Sequence, residues 1–284
     1  MAVTYFQPEV WSASLLSILD KNLVFAGAPC VNRDYEGEIS SFGDTVHIPA
    51  VADPTIVTYT KDTDLTVQVL TDSEQQLVID QAKAFAFEID DIDMRQVRAG
   101  GALMGEASRR AAFGLRDVAD QYVAGLMKAG TLAGNQLGAV TVSTTVTDAY
   151  DKVLVPMGQK LDENNVPRDD RRWVIVTPAF YAKLLLDGRF IKANESGSNA
   201  LHNGLVGQAG GFQIFMSNNC AAGATTGKII QAGTSLGTTF ASQINKVEAF
   251  RPEKRFADAL KGLYLYGSKV VRGAALASAD VTVS

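Results

Sequence analysis

The sequence predicts an α+β fold in which a projecting β-ribbon runs into one very long helix, followed by short mixed elements. Three observations predict it. Residues 45–89 alternate apolar and polar side chains about a polar centre, the two-residue period of strands. Residues 91–129 repeat apolar side chains at helical spacing. Such a helix would run roughly 58 Å at 1.5 Å per residue, where an average globular helix has only about 11–12 residues. After Gly130 the chain changes to short strands and helices punctuated by glycine and proline.

At the N-terminus, Trp11, Leu15, Ile18, Leu19 and Leu23 recur at helical spacing over residues 8–25, and Pro8 suits a first turn because it has no N–H to satisfy. This helix reads either as part of the core or as an arm lying on an adjacent subunit. In the ribbon, Val46 and Ile48 share one face, Val57 and Tyr59 another, and Leu65, Val67 and Val69 form the return arm. Lys61-Asp62-Thr63-Asp64 makes the polar tip. Pro49 and Pro54 place the segment at an edge or bulge. A two-stranded ribbon is marginally stable alone in water, so this one needs neighbours to cover it. Phe85, Phe87 and Ile89 then alternate as a strand that faces a core.

The long helix opens on Asp90, Asp91 and Asp93, acids that suit the positive end of the helix dipole. Its expected buried stripe is Ile92, Val97, Leu103, Met104, Ala107, Ala111, Leu115, Val118, Tyr122 and Leu126, with Gly130 as the stop. Gly100-Gly101 is its weak point, each glycine costing about 1 kcal/mol against alanine, and a bend is expected there. A further helix starts near Thr147 and should kink or end at Pro156. A strand over 173–176 leads into Thr177 as cap, Pro178 in the first turn and a helix over 179–186. Residues 197–211 read as a glycine-rich loop, and strands follow over 212–216, 228–232, 246–250 and 263–271.

The 284 residues are 46% hydrophobic, enough for one large core or two modest ones. Charged residues make up 20%, below the usual quarter, which fits a protein that buries surface against partners. A net charge of −5 argues against a dedicated duplex-binding protein, though it leaves room for a local basic patch. Cys30 and Cys220 are far apart and form neither a disulfide framework nor a zinc spacing, which fits a reducing cytosol. The start of the chain lacks the basic residues of a signal peptide, and no apolar run is long enough to span a bilayer. The protein reads as soluble and intracellular when made.

Four segments partly match motifs of catalytic or ligand-binding chemistry. Gly233-Thr234-Ser235-Leu236-Gly237 matches a nucleophile elbow, but that fold needs its histidine after the serine, and both His47 and His202 precede it. Gly223-Ala224-Thr225-Thr226-Gly227-Lys228-Ile229 is one residue short of a phosphate-binding loop, and Ile229 stands where a magnesium-holding hydroxyl belongs, so it reads as a hairpin loop. Asp162-Glu163-Asn164-Asn165 opens like a calcium loop without its glycine or final glutamate. The carboxylates over 88–93 are explained by the helix start. The expected catalytic, cofactor and metal assignments are therefore none.

Several segments carry a family resemblance. They are Arg33-Asp34-Tyr35-Glu36-Gly37-Glu38-Ile39, Gly43-Asp44-Thr45-Val46-His47-Ile48-Pro49, Val166-Pro167, residues 172–178 and Leu184-Leu185. Gly204-Leu205-Val206-Gly207, residues 211–219, Phe256-Ala257-Asp258 and Tyr266-Gly267 complete the series. In their order and spacing over nearly the whole chain, they resemble the major capsid proteins of tailed bacteriophages with the Hong Kong 97-type fold. The resemblance implies an N-terminal arm over 1–44, an extended loop (E-loop) over 45–76 and a peripheral (P) domain with its spine helix over 77–140. An axial (A) domain over 141–234 and C-terminal strands over 235–284 that complete both domains' sheets follow.

By that resemblance the protein assembles hexamers and pentamers of itself into an icosahedral shell around phage double-stranded DNA, touching the genome without sequence preference. The shell would form in the host bacterial cytoplasm and become part of the virion. A portal protein and a cement or decoration protein are implied partners, with no membrane. Only residues 1–44 precede the ribbon, too few for the fused scaffolding segment of some relatives, so a separate scaffolding protein is expected. Some relatives crosslink a lysine to an asparagine; Lys61 could serve but reads as a solvated turn lysine. The candidate intersubunit contacts are Trp11, Val57, Tyr59, Lys61, Asp62, Asp64, Leu65 and Val67. Two rival readings are a bacterial nanocompartment shell that packages a cargo enzyme and, more remotely, a hydrolase using Ser235.

Overall fold

The computed structural model describes residues 23–35, 45–51, 55–62, 64, 72–92, 100–143, 147–168, 171–187, 207–224 and 226–284. The expected alternation makes strands, but they are divided between separate sheets. β1 (Thr45–Val51) pairs antiparallel with β2 (Asp72–Val78) as a two-stranded ribbon, with Thr45 opposite Val78 and Val51 opposite Asp72. β3 (Gln81–Asp90) leaves the ribbon and pairs instead with β10 (Ala257–Val270), which pairs in turn with β9 (Thr238–Phe250). The ribbon therefore ends at Val78, short of the expected Ile89. Gly267 on β10 explains how tightly its base is held: a Cβ there would collide with the Val78 carbonyl. Val46, Ile48, Leu77 and Ile79 close a small core over Ala241 and Leu265.

The long helix, α1 (Gly100–Gly130), has 31 residues and runs about 46 Å. Asp91 and Ile92 are also helical, while the join over 93–99, including Val97, lies outside the described residues. The expected stripe is displaced by one position over most of its length. Met104, Ser108, Ala112, Leu115, Ala119, Val123 and Met127 are buried, whereas Val118 is 41% and Ile92 64% exposed. Side-chain size misleads here, because Ala112 and Ala119 let the helix backbone approach its neighbours closely. Ser108 is tolerated on this face because its hydroxyl donates to the Met104 carbonyl at 2.9 Å. Gly130 ends the helix as expected, against Val270, which a Cβ would meet at 2.6 Å.

A six-stranded sheet lies beyond. It comprises β4 (Gln136–Val142), β5 (Trp173–Val176), β6 (Gln208–Ala209), β7 (Phe212–Met216), β8 (Lys228–Gly233) and β11 (Leu276–Val283), in the order β4-β11-β8-β5-β7-β6. One core joins α1 to Trp173, Phe240, Tyr264, Tyr266 and Leu276. A second fills the other face of this sheet beneath α2 (Val155–Glu163) and α3 (Pro178–Leu185). Thr177 caps α3, its hydroxyl accepting from Phe180 N–H at 3.3 Å. Pro156 does not end its helix. A π-turn over Tyr150–Leu154 leads into α2, with Val155 N–H donating to the Tyr150 carbonyl, so the proline falls in a first turn where no donor is required.

One buried carboxylate ties the segment before the ribbon to α1. Asp120 is 2% exposed and accepts from Val24 N–H at 3.1 Å and Ala26 N–H at 3.3 Å. Burial pushes its pKa up, against the pull of those donors and of Arg116. An acid whose folded pKa is raised favours the folded state most when protonated, and that contribution is lost as pH rises through the raised value. Asp120→Ala should cost about 1–3 kcal/mol by stranding the donors. Asp120→Asn keeps an acceptor, and its stability relative to wild type should improve from pH ~4 toward neutral. Denaturant titrations across that range check both, and a relative stability of the Asn variant that falls with pH would refute the assignment.

Candidate assembly surfaces

The ribbon carries a cluster of exposed apolar side chains. Ile56 is 95%, Val57 59% and Tyr59 64% exposed. Lys61, Asp62 and Asp64 are exposed at the tip, and Asp62 turns the chain with a φ of 65°. Five of the candidate contacts, Val57, Tyr59, Lys61, Asp62 and Asp64, thus share one projecting segment; Trp11, Leu65 and Val67 lie outside the described residues. Residues 55–60 carry no strand pairing, so the expected ladder at Val57 and Tyr59 is absent and the described ribbon pairing stops at Val51. A two-stranded ribbon has little to hold it regular beyond its base.

The turn of the β9–β10 hairpin is tied to the end of β3 and the helix start by ion pairs. Arg251 reaches Asp91 at 2.6 Å and Asp258 at 2.8 Å, and Arg255 pairs with Glu88. Phe256, beside them, is 84% exposed. Of the acids at the helix start, Asp91 partners Arg251, Asp90 accepts from the Ile92 N–H at 2.8 Å as a helix-start acid should, and Asp93 lies outside the described residues. Sequence reasoning passed over both Phe256 and Ile56 as surface residues. Ile56 lies off the face marked by Val57 and Tyr59, so both faces of this segment are apolar and exposed.

The motifs considered for chemistry have structural roles. Gly233–Gly237 joins β8 to β9, with Gly237 N–H donating to the Thr234 carbonyl at 3.0 Å, so it links strand to strand and lacks the helix of a nucleophile elbow. His47 lies on the ribbon against Glu74; His202 is outside the described residues. Ser235→Ala should leave assembly unchanged, and esterase activity abolished by this substitution would contradict that. The Gly223–Gly227 loop cradles the protein's own carboxylate: Ala224 N–H donates to Asp280 at 2.6 Å, and a Cβ at either glycine would strike it.

Asp162 belongs to a clamp. Arg172, 3% exposed, bonds Asp162 at 2.8 Å, Pro167 O at 3.0 Å and the Val166 carbonyl. Hydrogen bonds from Arg168 and Arg172 hold Asp162 at a pKa of about 2. Both cysteines are buried and free, and burial pushes their thiols up, Cys220 to about 12, which makes them poor nucleophiles. Among the described residues there is no metal-binding cluster of His, Cys, Asp or Glu, and no helix long and apolar enough to cross a membrane.

Residues 73–278 match the model of a family described as phage capsid protein. The chain belongs to that family. Among solved structures, a chain from Mycobacterium phage Che8 is 30% identical, with 91% of each chain covered and a TM-score of 0.71. A chain from the capsid structure of the cyanophage P-SCSP1u is 20% identical over 87% of this chain and 85% of that one, with a TM-score of 0.65. A chain of the mature capsid of bacteriophage PhiM1 is 14% identical over 84% and 82%, also at 0.65, which carries the fold alone. No curated protein matches by sequence.

This capsid protein has the Hong Kong 97-type α+β fold, and its role in the virion is structural, as a component of the shell. The motifs that carried the resemblance sit mostly at packing positions. Arg33 donates to the Ala26 carbonyl at 2.9 Å and lies over the Phe240 ring, Arg172 clamps the 162–172 turn, and Tyr266 and Gly267 pack α1 and the ribbon base onto β10.

Proposed function

We propose that this capsid protein self-assembles as hexamers and pentamers into an icosahedral head enclosing phage double-stranded DNA, and that it acts without catalysis. The observation that carries this reading is the projecting ribbon, whose Ile56, Val57 and Tyr59 are left largely exposed by their own chain. In this mapping residues 1–44 are the N-terminal arm, 45–76 the extended loop, 77–140 the P-domain with its spine helix and 141–234 the A-domain. Residues 235–284 supply the C-terminal strands of both sheets. The E-loop candidates Val57, Tyr59, Lys61, Asp62, Asp64, Leu65 and Val67, together with Trp11 of the arm, contact neighbouring copies.

A separate scaffolding protein, a portal and, on the finished shell, a cement protein are the proposed partners, with assembly in the host bacterial cytoplasm. Electron microscopy of the full chain, produced alone and with the products of its neighbouring genes, tests the proposal. Closed shells with fivefold and sixfold capsomers that package duplex DNA are expected. Monomers in both preparations, or shells filled with a neighbouring enzyme in place of DNA, would refute it.

A further inference from the structure

The N-terminal half of α1 leaves one face uncovered. Ala112 on the opposite side is 0% exposed, while Phe113 is 55% exposed. Around Phe113 stand three arginines. The Arg109 and Arg110 side chains are 69% and 83% exposed, and the Arg116 guanidinium sits over the Phe113 ring, 4.2 Å from its centroid. Positions 109, 113 and 116 fall on one helical ridge, with 110 flanking it. The opposing charges are Glu106, which pairs with Arg109 at 3.2 Å and Arg110 at 3.4 Å, and Asp117, which accepts from Gln121 at 2.9 Å. Asp120, which also feels Arg116, is 2% exposed and turned inward onto the Val24 and Ala26 N–H groups, so on the exposed ridge three guanidiniums face two carboxylates and leave it positive, in a chain with 26 basic and 31 acidic residues.

The geometry selects a partner chemistry. Glu106 holds its arginines only by exposed pairs, which exchange readily for a stronger anion. A guanidinium grips phosphate through two parallel N–H bonds, and an aromatic face beneath it fixes its plane beforehand. Residues 109–116 span about 10.5 Å of helix, and duplex DNA presents one phosphate charge per about 1.7 Å, so several phosphates lie within reach. We infer that the Arg109–Arg110–Phe113–Arg116 face of α1 is where the capsid protein meets the phosphate backbone of packaged double-stranded DNA. This rests on the proposed DNA-enclosing shell, and it turns that face of the subunit toward the interior.

The test compares the unassembled full-length wild-type chain with the triple variant R109Q/R110Q/R116Q and with the charge-matched control K83Q/K254Q/K269Q, each binding a ~30-bp duplex across a salt series. Each lost phosphate contact lowers the slope of log affinity against log salt by about 0.9, so the triple variant should lose about 2.7 while the control keeps the wild-type slope. An equal loss in the control would make the binding diffuse and overturn the inference. So would an unchanged slope in the triple variant. If that unchanged slope came with failed co-assembly with the scaffolding protein, the face would belong to a protein partner instead. Electron microscopy of shells from the same variants keeps the two readings apart: intact shells with a lost slope support both, and intact shells with an unchanged slope overturn only this one.

Discussion

Leu115→Asp is expected to abolish soluble, assembly-competent capsid protein. Leu115 is 6% exposed in the core that joins α1 to both large sheets, beside Ala112 and Ala119 on the buried face. An unpaired carboxylate there costs several kcal/mol even after relaxation, and burial of the leucine, worth about 1.5–3 kcal/mol, is lost as well. Domains are stable by only about 5–15 kcal/mol, so this single change removes most of the margin. Leu115→Ala should cost about 2–5 kcal/mol, and Leu115→Met less than about 1.5 kcal/mol because it nearly conserves volume. The soluble yield and thermal unfolding of the three variants should therefore rank Met, Ala, Asp. Normal particles from the Asp variant would mean that α1 does not bury this face.

The ranking depends on which residues of α1 are buried, and that was only partly legible in the sequence. Met104 and Leu115 were placed correctly and Tyr122 packs, partly buried, against the same core, but Val118 is exposed and the smaller Ala119 takes the buried position beside it. The same bias hid β11, whose inward residues Ala277 and Ala279 look unlike a central strand although it pairs with both β4 and β8. Strongly patterned elements were legible: 173–176 and 212–216 appear with the expected bounds, as does the cap at Thr177. Strand lengths were less so, because β9 and β10 extend well beyond their most apolar stretches, held by pairing with each other.

Long-range polar contacts were invisible to local pattern. Asp120 lies 94 residues from Ala26 and looks like an ordinary surface acid on a helix, so its role depends on a fold that brings the two together. Arg172 differs, because Val166, Pro167 and Asp162 are near in sequence and the motif itself was recognised, though not its clamp. For the assembly surface, alternation marked Val57 and Tyr59 but could not show that the opposite face, with Ile56, is equally bare. Exposure depends on which layer is missing, and no local pattern encodes that.

Deleting residues 60–65 should leave a soluble, folded subunit that cannot close stable shells. Ordering residues 55–60 costs on the order of 6–12 kcal/mol in backbone entropy. Burying Ile56 and Val57 would return about 1.5–3 kcal/mol each, and their own chain leaves them, with Tyr59, exposed. One subunit therefore lacks the means to hold the segment, and contacts with a neighbouring copy have to supply the difference. The ribbon base is independent of the tip, since Val46, Ile48, Leu77 and Ile79 pack on β9 and β10, so removing the tip should not unfold the subunit. Hydrogen exchange provides the direct measurement. Amides of residues 55–60 should exchange at rates near those of an open loop in free subunits and become protected in particles, while those of β1 and β2 stay protected in both. Strong, equal protection of 55–60 in the two states would place the segment in the subunit's own core, and shells closing normally without the tip would remove it from assembly.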